Sequence, residues 1–407
     1  MKILVLNGGS SSLKAAVREV AEDAGPEAPS PALWEAHVDW GRSPGKAEIR
    51  IKAKGAARDE ELAIASSAEV LHPVIETLWS GPSPVVDGPA AIAAVGHRVV
   101  HGGKAFQETT RITPEVRAEI QKHCEFAPEH NRLELEAIHA AEQILGARTP
   151  QIAVFDTAFH AMMPLPATVY PVPFEWYEEG IRRYGFHGIS HQYCSRRAAD
   201  ILGRDLASLR MVTCHLGNGA SLAAVRDGRS VDTTMGFTPL EGLMMGTRSG
   251  SIDPGALIYM VRHRGYGADQ LDRVLNRDSG LKGVSGISGD MREILSAMET
   301  GRGRARLAYD VYVHRVCREI GGMVASLGGL DALVFTAGVG ENCPPVRRDV
   351  CHRLEFLGIE LDPARNANPA MDCDLASEES RVRVILVRAD EEWEIARECC
   401  RLLGRPV

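Results

Sequence analysis

The chain contains two copies of one strand–turn–strand pattern, and this repeat limits its fold more than any other feature. Residues 6–19 read LNGGSSSLKAAVRE and residues 216–227 read LGNGASLAAVRD. In each copy a short apolar strand leads into a turn of Gly, Ser and Asn, and a second strand returns from it. Such self-similarity indicates an internal duplication. It predicts two related α/β domains, each opening with a hairpin whose tip is rich in hydrogen-bond donors.

Local patterns predict further elements in both copies. Apolar runs and helix-end signals such as Pro at a first helical position define them. The predicted strands cover residues 2–6, 13–20, 48–52, 152–155, 332–335 and 382–387; the predicted helices include residues 133–145, 304–326, 344–357 and 392–403. The last helix is expected to fold back onto the first domain.

Size and charge exclude several classes of protein. With 407 residues the chain is long enough for two or three domains. No apolar run reaches the roughly 18 residues of a membrane span. The net charge of −8 argues against a nucleic-acid partner, which would favour a basic excess. Nine scattered cysteines without a C-x-x-C pair, and a first strand too short for a signal peptide, predict a reduced, cytoplasmic protein.

Glycine is the unusual component, at 40 of 407 residues. Four Gly-rich turns follow predicted strands, at residues 7–12, 215–221, 286–290 and 338–342. One such turn is usually only a turn, but several permit close backbone approach and form anion-binding nests. The pattern therefore favours a nucleotide polyphosphate. Neither G-x-x-x-x-G-K-[ST] nor G-x-G-x-x-G is present, so the cradle is neither a P-loop nor a dinucleotide fingerprint.

Arginine and histidine side chains occur among glycines in three segments, residues 96–103, 182–188 and 245–251. A single Arg is most often a solvated surface residue. An Arg in a small-residue context can clamp carboxylate or phosphoryl oxygens through its planar fork. His187 and His191 lie four residues apart, but without an H-E-x-x-H motif a zinc site is not expected.

Two carboxylates are placed at strand ends, Asp156 after residues 152–155 and Glu391 after residues 382–387. This is the usual location for Mg²⁺ ligands or a general base in α/β folds, although Asp156 is equally compatible with a helix cap. Asn7 is either a turn residue or a metal ligand. Together these features predict phosphoryl transfer with a nucleotide.

The motifs resemble those of the acetate kinase (acetokinase) family over nearly the whole chain. Residues 5–14 (VLNGGSSSLK) and 235–250 (MGFTPLEGLMMGTRSG) are similar to its two signatures. The remaining motifs follow in the family's order, at residues 156–160 (DTAFH), 184–188 (YGFHG), 215–219 (HLGNG) and 335–342 (FTAGVGEN). The resemblance implies an α/β, duplicated actin-like/Hsp70/sugar-kinase-type two-domain fold with an interdomain active-site cleft. It implies an acyl and metal domain of residues 1–156 plus 393–407, and a nucleotide domain of residues 157–392.

The resemblance also implies a role for each matching residue in an ATP-dependent transfer to acetate. The catalytic set would be Asp156, His187 and Arg248, and the acetate pocket would be formed by Arg98, Val100, Phe186 and Pro239. The nucleotide ATP or ADP would contact Lys14, His215, Leu216, Gly217, Asn218, Gly219, Asp290, Met291, Arg292, Gly338, Val339, Gly340, Glu341 and Asn342. Asn7 and Glu391 would belong to a Mg²⁺ site that also accepts Mn²⁺, and the chain would form a homodimer.

Elementary chemistry modifies one of these roles. Acetate is already ionised at pH 7, so its attack on phosphorus needs charge neutralisation and alignment rather than a strong base. Asp156 is therefore expected to position metal or substrate more than to move a proton.

The sequence departs from the family pattern at two single positions and in one segment. Glu129 places a carboxylate where the family has an apolar pocket wall, Ser251 replaces a usual Asp, and residues 388–391 read RADE instead of PTNE. The first departure leaves a propionate (short-chain acyl) kinase as an alternative. A non-catalytic nucleotide switch of the same superfold is the alternative from another class, against which the intact acyl-side residues argue.

Overall fold

The chain divides into two compact units in the computed structural model. The first unit comprises residues 1–161 and 390–407, and the second comprises residues 162–389. The structure describes residues 1–9, 12–20, 29–40, 45–64, 68–122 and 128–404, without the side chains of residues 68 and 128–131. Ser10 and Ser11 of the first predicted turn therefore lie outside the described residues, as does the side chain of Glu129.

The first unit is built on one sheet with helices packed against it. Its strands are β1 Lys2–Gly8, β2 Ser12–Glu19, β3 Trp34–Asp39, β4 Lys46–Ala53, β5 Ala56–Ala63, β6 Ala94–Val99, β7 Thr110–Arg111 and β8 Gln151–Phe155. Its helices before residue 162 are α1 Ala68–Glu76, α2 Pro114–Lys122 and α3 Pro128–Leu145, with short 3₁₀ turns at Pro89–Ala91 and Ala158–His160. The strand order is β5-β4-β3-β2-β1-β6-β8-β7.

The second unit contains a smaller sheet and most of the helices. Its strands are β9 Arg210–Leu216, β10 Ala220–Arg226, β11 Arg229–Thr233, β12 Ala332–Thr336, β13 Cys373–Asp374 and β14 Arg383–Leu386. Its helices are α4 Leu165–Thr168, α5 Phe174–Glu178, α6 Gly188–Leu202, α7 Pro254–Arg264, α8 Ala268–Arg277, α9 Gly280–Ser285, α10 Met291–Glu299, α11 Gly303–Leu327, α12 Ala337–Asn342, α13 Pro344–Arg353 and α14 Pro363–Ala367, with 3₁₀ turns at Leu206–Ser208 and Glu355–Leu357. The strand order is β11-β10-β9-β12-β14-β13.

The two sheets share one topology, so the predicted duplicated α/β fold is confirmed. In the first unit, β3, β2 and β1 pair antiparallel, and β6 and β8 then continue in parallel. In the second unit, β11, β10 and β9 pair antiparallel, and β12 and β14 continue in parallel. The parallel strands are buried on both faces, which explains their uninterrupted apolar runs.

The last helix, α15 Glu391–Gly404, belongs to the first unit, as the sequence suggested. It buries Trp393, Ile395 and Cys399. At Gly96 of β6, an added Cβ would lie 2.6 Å from the Cys399 sulfur and 2.7 Å from Cγ2 of Ile395. Only glycine permits this close approach of helix and strand.

Three predicted elements differ from the structure. The helix expected over residues 133–145 begins earlier, at Pro128. The helix expected over residues 344–357 ends at Arg353, because a 3₁₀ turn closed by Gly358 at a φ of 85° takes over. The turn expected over residues 338–342 is the short helix α12. Ala337, at a φ of 64°, reverses the chain directly after β12. No helix of the described residues is long and apolar enough to cross a membrane.

We predict that Gly96→Ala lowers the free energy of unfolding by about 1–3 kcal/mol, because the methyl group forces α15 away from β6. Gly321→Ala is the control: Gly321 lies in α11 with nothing within 4 Å of an added Cβ. This control should raise stability by about 0.5–1 kcal/mol. Urea unfolding of both variants measures the difference; equal stability of Gly96→Ala and the wild type would contradict the close packing of α15.

Candidate active site

A cluster of polar side chains gathers at the carboxyl ends of β1, β6 and β8, where ligands bind in open α/β sheets. We call Asn7, Arg98, Asp156 and Glu391 the arginine–carboxylate cluster. Arg98 Nη2 donates to Asp156 Oδ2 at 2.8 Å, and its Nη1 donates to Asn7 Oδ1 at 3.3 Å. The amide nitrogen of Asn7 donates to Glu391 Oε2 at 3.0 Å and to Glu392 Oε1 at 2.9 Å. Four of the predicted site residues are therefore in one hydrogen-bonded group.

The ion pair between Arg98 and Asp156 is almost completely buried, with side-chain exposures of 15% and 1%. Burial alone would lower the pKa of Arg98, but the charges of Asp156 and Glu391 raise it above the usual value. Arg98 is thus a permanent cation. The helix-cap alternative for Asp156 is not what the structure contains: the cap of the following 3₁₀ turn is Thr157, and Asp156 accepts from Arg98.

Sequence reasoning missed Glu134, a carboxyl group on α3 that is only 3% exposed. Both of its oxygens accept the backbone N–H of Val100, at 3.1 and 3.2 Å. Burial raises the pKa of Glu134 to about 8, although Arg98 and the Val100 N–H oppose this shift. A signal was present in the sequence, because Glu134 shares the helix face of the buried residues Ile138, Ala141 and Leu145.

Val100 and Lys14 are the remaining predicted site residues of the first unit. Val100 is 4% exposed, directly after β6. Lys14 is exposed on β2 and pairs in register with Asn7.

Asp390, which precedes Glu391, accepts two hydrogen bonds from Arg18 Nη2, at 2.7 and 2.9 Å. Burial raises the pKa of Asp390 to about 6, against the lowering effect of Arg18.

In the second unit, histidines lie where β9 and β10 meet α6. His187 occupies the cap position of α6 in the left-handed region, at a φ of 56°. Its ring stacks on His215, with ring centroids 4.2 Å apart and planes at 18°. The Nδ1 atom of His187 lies 2.9 Å from Ser221 Oγ, and the Nδ1 atom of His215 lies 2.8 Å from Ser190 Oγ.

His187 and Arg248 approach the same point of the chain. A Cβ on Gly219 would lie 3.4 Å from His187 Nε2 and 3.5 Å from Arg248 Nη1. Arg248 also donates to the carbonyl oxygen of Pro239 at 3.4 Å. Phe186, beside His187, is 1% exposed. The structure therefore brings His187 and Arg248 together at Gly219, with Pro239 bonded to Arg248.

Three glycine-containing loops meet at this place. The backbone N–H of Gly246 donates to the carbonyl oxygen of Asn218 at 3.1 Å, and an added Cβ on Gly246 would lie 2.9 Å from the carbonyl oxygen of Gly289. On the other side, β9 pairs with β12 so that His215 is opposite Thr336. An added Cβ on Gly217 would lie 3.7 Å from that of Ala337. The loops at residues 215–219, 246–250 and 286–290 and the first residue of α12 are thus neighbours.

The other predicted nucleotide contacts have definite local roles. Asp290 caps α10 by accepting from the backbone N–H of Arg292, whose side chain is 90% exposed. Glu341 Oε1 accepts the backbone N–H groups of Ala337 and Ala389, both at 2.9 Å, and Asn342 donates to the Gly338 carbonyl oxygen at 3.0 Å. The other members of the set are Leu216 and Met291, which are buried, and Val339 and Gly340, which lie within α12.

Comparison with known proteins identifies the family of the chain. The sequence model of the acetokinase family matches residues 2–397. The chain belongs to the acetokinase family. It is 55% identical over 405 residues to an acetate kinase of Gloeobacter violaceus, and the match covers 100% of both chains. The predicted family is therefore confirmed.

Solved structures of the family have the same fold. A crystal structure of Porphyromonas gingivalis acetate kinase matches with a TM-score of 0.90 and 39% identity, covering 99% of each chain. A propionate kinase from Francisella tularensis matches with a TM-score of 0.87 and 36% identity, covering 98% of each.

We predict that the free energy of unfolding falls less between pH 7 and pH 9 in Glu134→Gln than in the wild type. With its folded pKa raised above the unfolded value, Glu134 stabilises the fold below about pH 4.5 and loses that contribution as pH rises through about 8. One such group lowers the free energy of unfolding by about 1.4 kcal/mol between pH 7 and pH 9. Urea unfolding at the two pH values should show this fall in the wild type and not in Glu134→Gln; parallel slopes would mean that Glu134 is already ionised at pH 7.

Proposed function

We propose that the protein transfers the γ-phosphoryl group of ATP to acetate, reversibly, to give acetyl phosphate and ADP. Membership of the acetokinase family over residues 2–397 carries this proposal. An acetate oxygen attacks the γ-phosphorus, the bond to the bridging oxygen of ADP breaks, and no proton is gained or lost. Catalysis then depends on alignment and on the neutralisation of charge.

The first unit supplies the acyl side of the proposed reaction. Arg98 binds the acetate carboxylate, and Val100 contributes to the methyl pocket. For Phe186 and Pro239 of the second unit, contact with the acetate methyl group remains a prediction of the family resemblance. The ion pair of Arg98 with Asp156 at 2.8 Å supports a positioning role for Asp156 rather than proton transfer. Asp156 completes the proposed catalytic set with His187 and Arg248.

The second unit supplies the phosphoryl side. His187 and Arg248 donate hydrogen bonds to the transferring phosphoryl group, whose charge is spread over its equatorial oxygens. The neighbouring glycine turns hold the nucleotide phosphates through backbone N–H groups. The roles of Lys14 and of residues 290–292 as nucleotide contacts remain predictions of the family resemblance.

The donor set of the arginine–carboxylate cluster fits magnesium. Asn7 and Glu391 present amide and carboxylate oxygens, and Mg²⁺ commonly takes one or two carboxylates while substrate phosphates complete its shell. Within the described residues, no group of three or more His, Cys, Asp or Glu side chains is arranged to hold a metal alone. We propose that Asn7 and Glu391 form the protein part of this Mg²⁺ site, which Mn²⁺ can also fill. The ion neutralises phosphate charge when bound.

A homodimer in the cytoplasm is the proposed state of the chain. The helix α7 buries none of its residues within the chain, and its Ile258, Tyr259 and Val261 are 48–52% exposed. An exposed apolar face of this kind fits a subunit interface.

A hydroxamate assay with ATP and Mg²⁺ tests the reaction, with acetate and propionate as separate acceptors. We expect acyl hydroxamate from both, with a higher kcat/KM for acetate. Propionate is the alternative acceptor, because the chain is similar to a propionate kinase and Glu129 departs from the family's pocket. A higher kcat/KM for propionate would replace the acetate proposal, and product from neither acid would favour a nucleotide switch.

We predict that Arg248→Lys lowers kcat by roughly a hundredfold, while the Kd for ATP changes little. Lys retains the charge but loses the planar fork that holds two phosphoryl oxygens. Steady-state kinetics and nucleotide titration of the variant provide the two numbers. Arg292→Lys is the matched control. The Arg292 side chain is 90% exposed and its only predicted role is a nucleotide contact, so this variant should keep a kcat close to the wild-type value. A kcat near the wild-type value for Arg248→Lys would remove Arg248 from the transfer step.

A further inference from the structure

Three fully buried polar residues of the second unit have no role in the proposed function. Thr213, His191 and Ser221 each have 0% exposure. Buried polar groups destabilise a fold unless each finds a hydrogen-bond partner. Their partners form one continuous series that ends on His187, and we call His187, Ser221, His191 and Thr213 the histidine chain.

Consecutive members of the histidine chain lie within hydrogen-bond distance of one another. His187 Nδ1 lies 2.9 Å from Ser221 Oγ, and Ser221 Oγ lies 2.8 Å from His191 Nε2. His191 Nδ1 lies 2.7 Å from Thr213 Oγ1, and Thr213 donates to the backbone carbonyl oxygen of Ala223 at 3.4 Å. Strands β9 and β10 carry Thr213 and Ser221, and α6 carries both histidines.

The carbonyl oxygen at one end gives the series a direction. A carbonyl can only accept, so Thr213 is the donor in the 3.4 Å hydrogen bond to Ala223. When the one hydroxyl proton of Thr213 is used in this bond, Thr213 Oγ1 accepts from His191 Nδ1–H. A neutral imidazole then has only an acceptor left at Nε2, to which the Ser221 hydroxyl donates. Ser221 has used its one proton and must accept from His187 Nδ1–H. Each proton in the series is thereby assigned once.

The surroundings of His187 fix the direction in which its other nitrogen points. Its ring stacks on His215, which is itself held by Ser190. Nε2 lies on the side of Gly219, where an added Cβ would come within 3.4 Å of it and within 3.5 Å of Arg248 Nη1. The atom of His187 that faces the proposed phosphoryl position is therefore Nε2.

We propose that Ser221, His191 and Thr213 are positioning residues that hold the proton of His187 on Nδ1 and keep Nε2 directed towards Arg248 and the transferring phosphoryl group. This inference rests on the proposed function for its consequence. With Nδ1–H already donated to Ser221, a second proton on Nε2 makes an imidazolium that donates to phosphoryl oxygen without breaking the series. The reverse direction would require Ser221 to donate to His187, and protonation at Nδ1 would then break that bond.

Nitrogen NMR of the free wild-type protein tests the direction without using activity. Selective ¹⁵N labelling of the 14 histidines, with His187→Asn for assignment, reports which ring nitrogen of neutral His187 carries the proton. We expect the Nδ1–H tautomer at alkaline pH. Ser190→Ala is the matched control, because it removes the corresponding bond of His215 and should leave the His187 tautomer unchanged. The Nε2–H tautomer in the wild type would overturn the proposal.

Kinetics of two variants tests the consequence. Ser221→Ala and Thr213→Val should each lower kcat roughly tenfold to a hundredfold, with the KM for ATP close to the wild-type value. Thr213→Ser, which retains the hydroxyl, should restore most of the lost kcat. Wild-type kcat in Thr213→Val and Ser221→Ala would overturn the positioning role. Because the tautomer is read in the free protein, an Nδ1–H result without acyl phosphate formation would refute the proposed function and leave the assigned direction intact.

Discussion

The ion pair of Arg98 and Asp156 is the interaction on which the first unit's site depends. Two charges at this depth are tolerated only when they are paired and hydrogen-bonded, and removing one would leave the other buried and uncompensated. The pair forms because β6 and β8 are parallel neighbours whose carboxyl ends coincide. Asn7, at the end of β1 on the other side of β6, then bonds Arg98 and connects it to Glu391 at the start of α15. The site is thus a direct product of the strand order β1-β6-β8.

The duplication places two different chemistries on one topology. In the first unit the strand ends carry charged and amide side chains, which recognise a carboxylate or a cation. In the second, the ends of β9 and β12 carry His215 and Thr336 and are followed by glycine-containing segments, where backbone N–H groups can approach a ligand closely. The hairpin turns of the two copies are therefore related in position and distinct in what they can bind.

Much of this organisation was readable from the sequence, because strand burial and helix periodicity leave local patterns. The parallel strands, the long helix α11 and the return of α15 to the first unit followed from apolar runs and end signals. Tertiary context determined the rest. The cap alternative for Asp156 was decided by Arg98, 58 residues away in the chain. The turn predicted at residues 338–342 became a helix because Ala337 adopts a positive φ and Glu341 holds its N–H group. Glu134 lies on an apolar helix face. Its role could not be predicted from that pattern, because its partner, the backbone N–H of Val100, is brought to it only by the tertiary fold.

The charges of the arginine–carboxylate cluster and of the neighbouring Glu392 support the proposed cation site. Arg98 provides one positive charge beside the carboxylates of Asp156, Glu391 and Glu392, so the described group is negative overall. An acetate ion would be repelled by this surplus. Burial keeps Glu134 protonated at neutral pH, since its pKa is about 8, and it adds no further negative charge beside Val100. In the proposed function, a divalent cation held by Asn7 and Glu391 would offset the remaining carboxylate charge, and Arg98 would attract the carboxylate of acetate. The negative charge that disfavours an anion at this cluster therefore favours the proposed metal site.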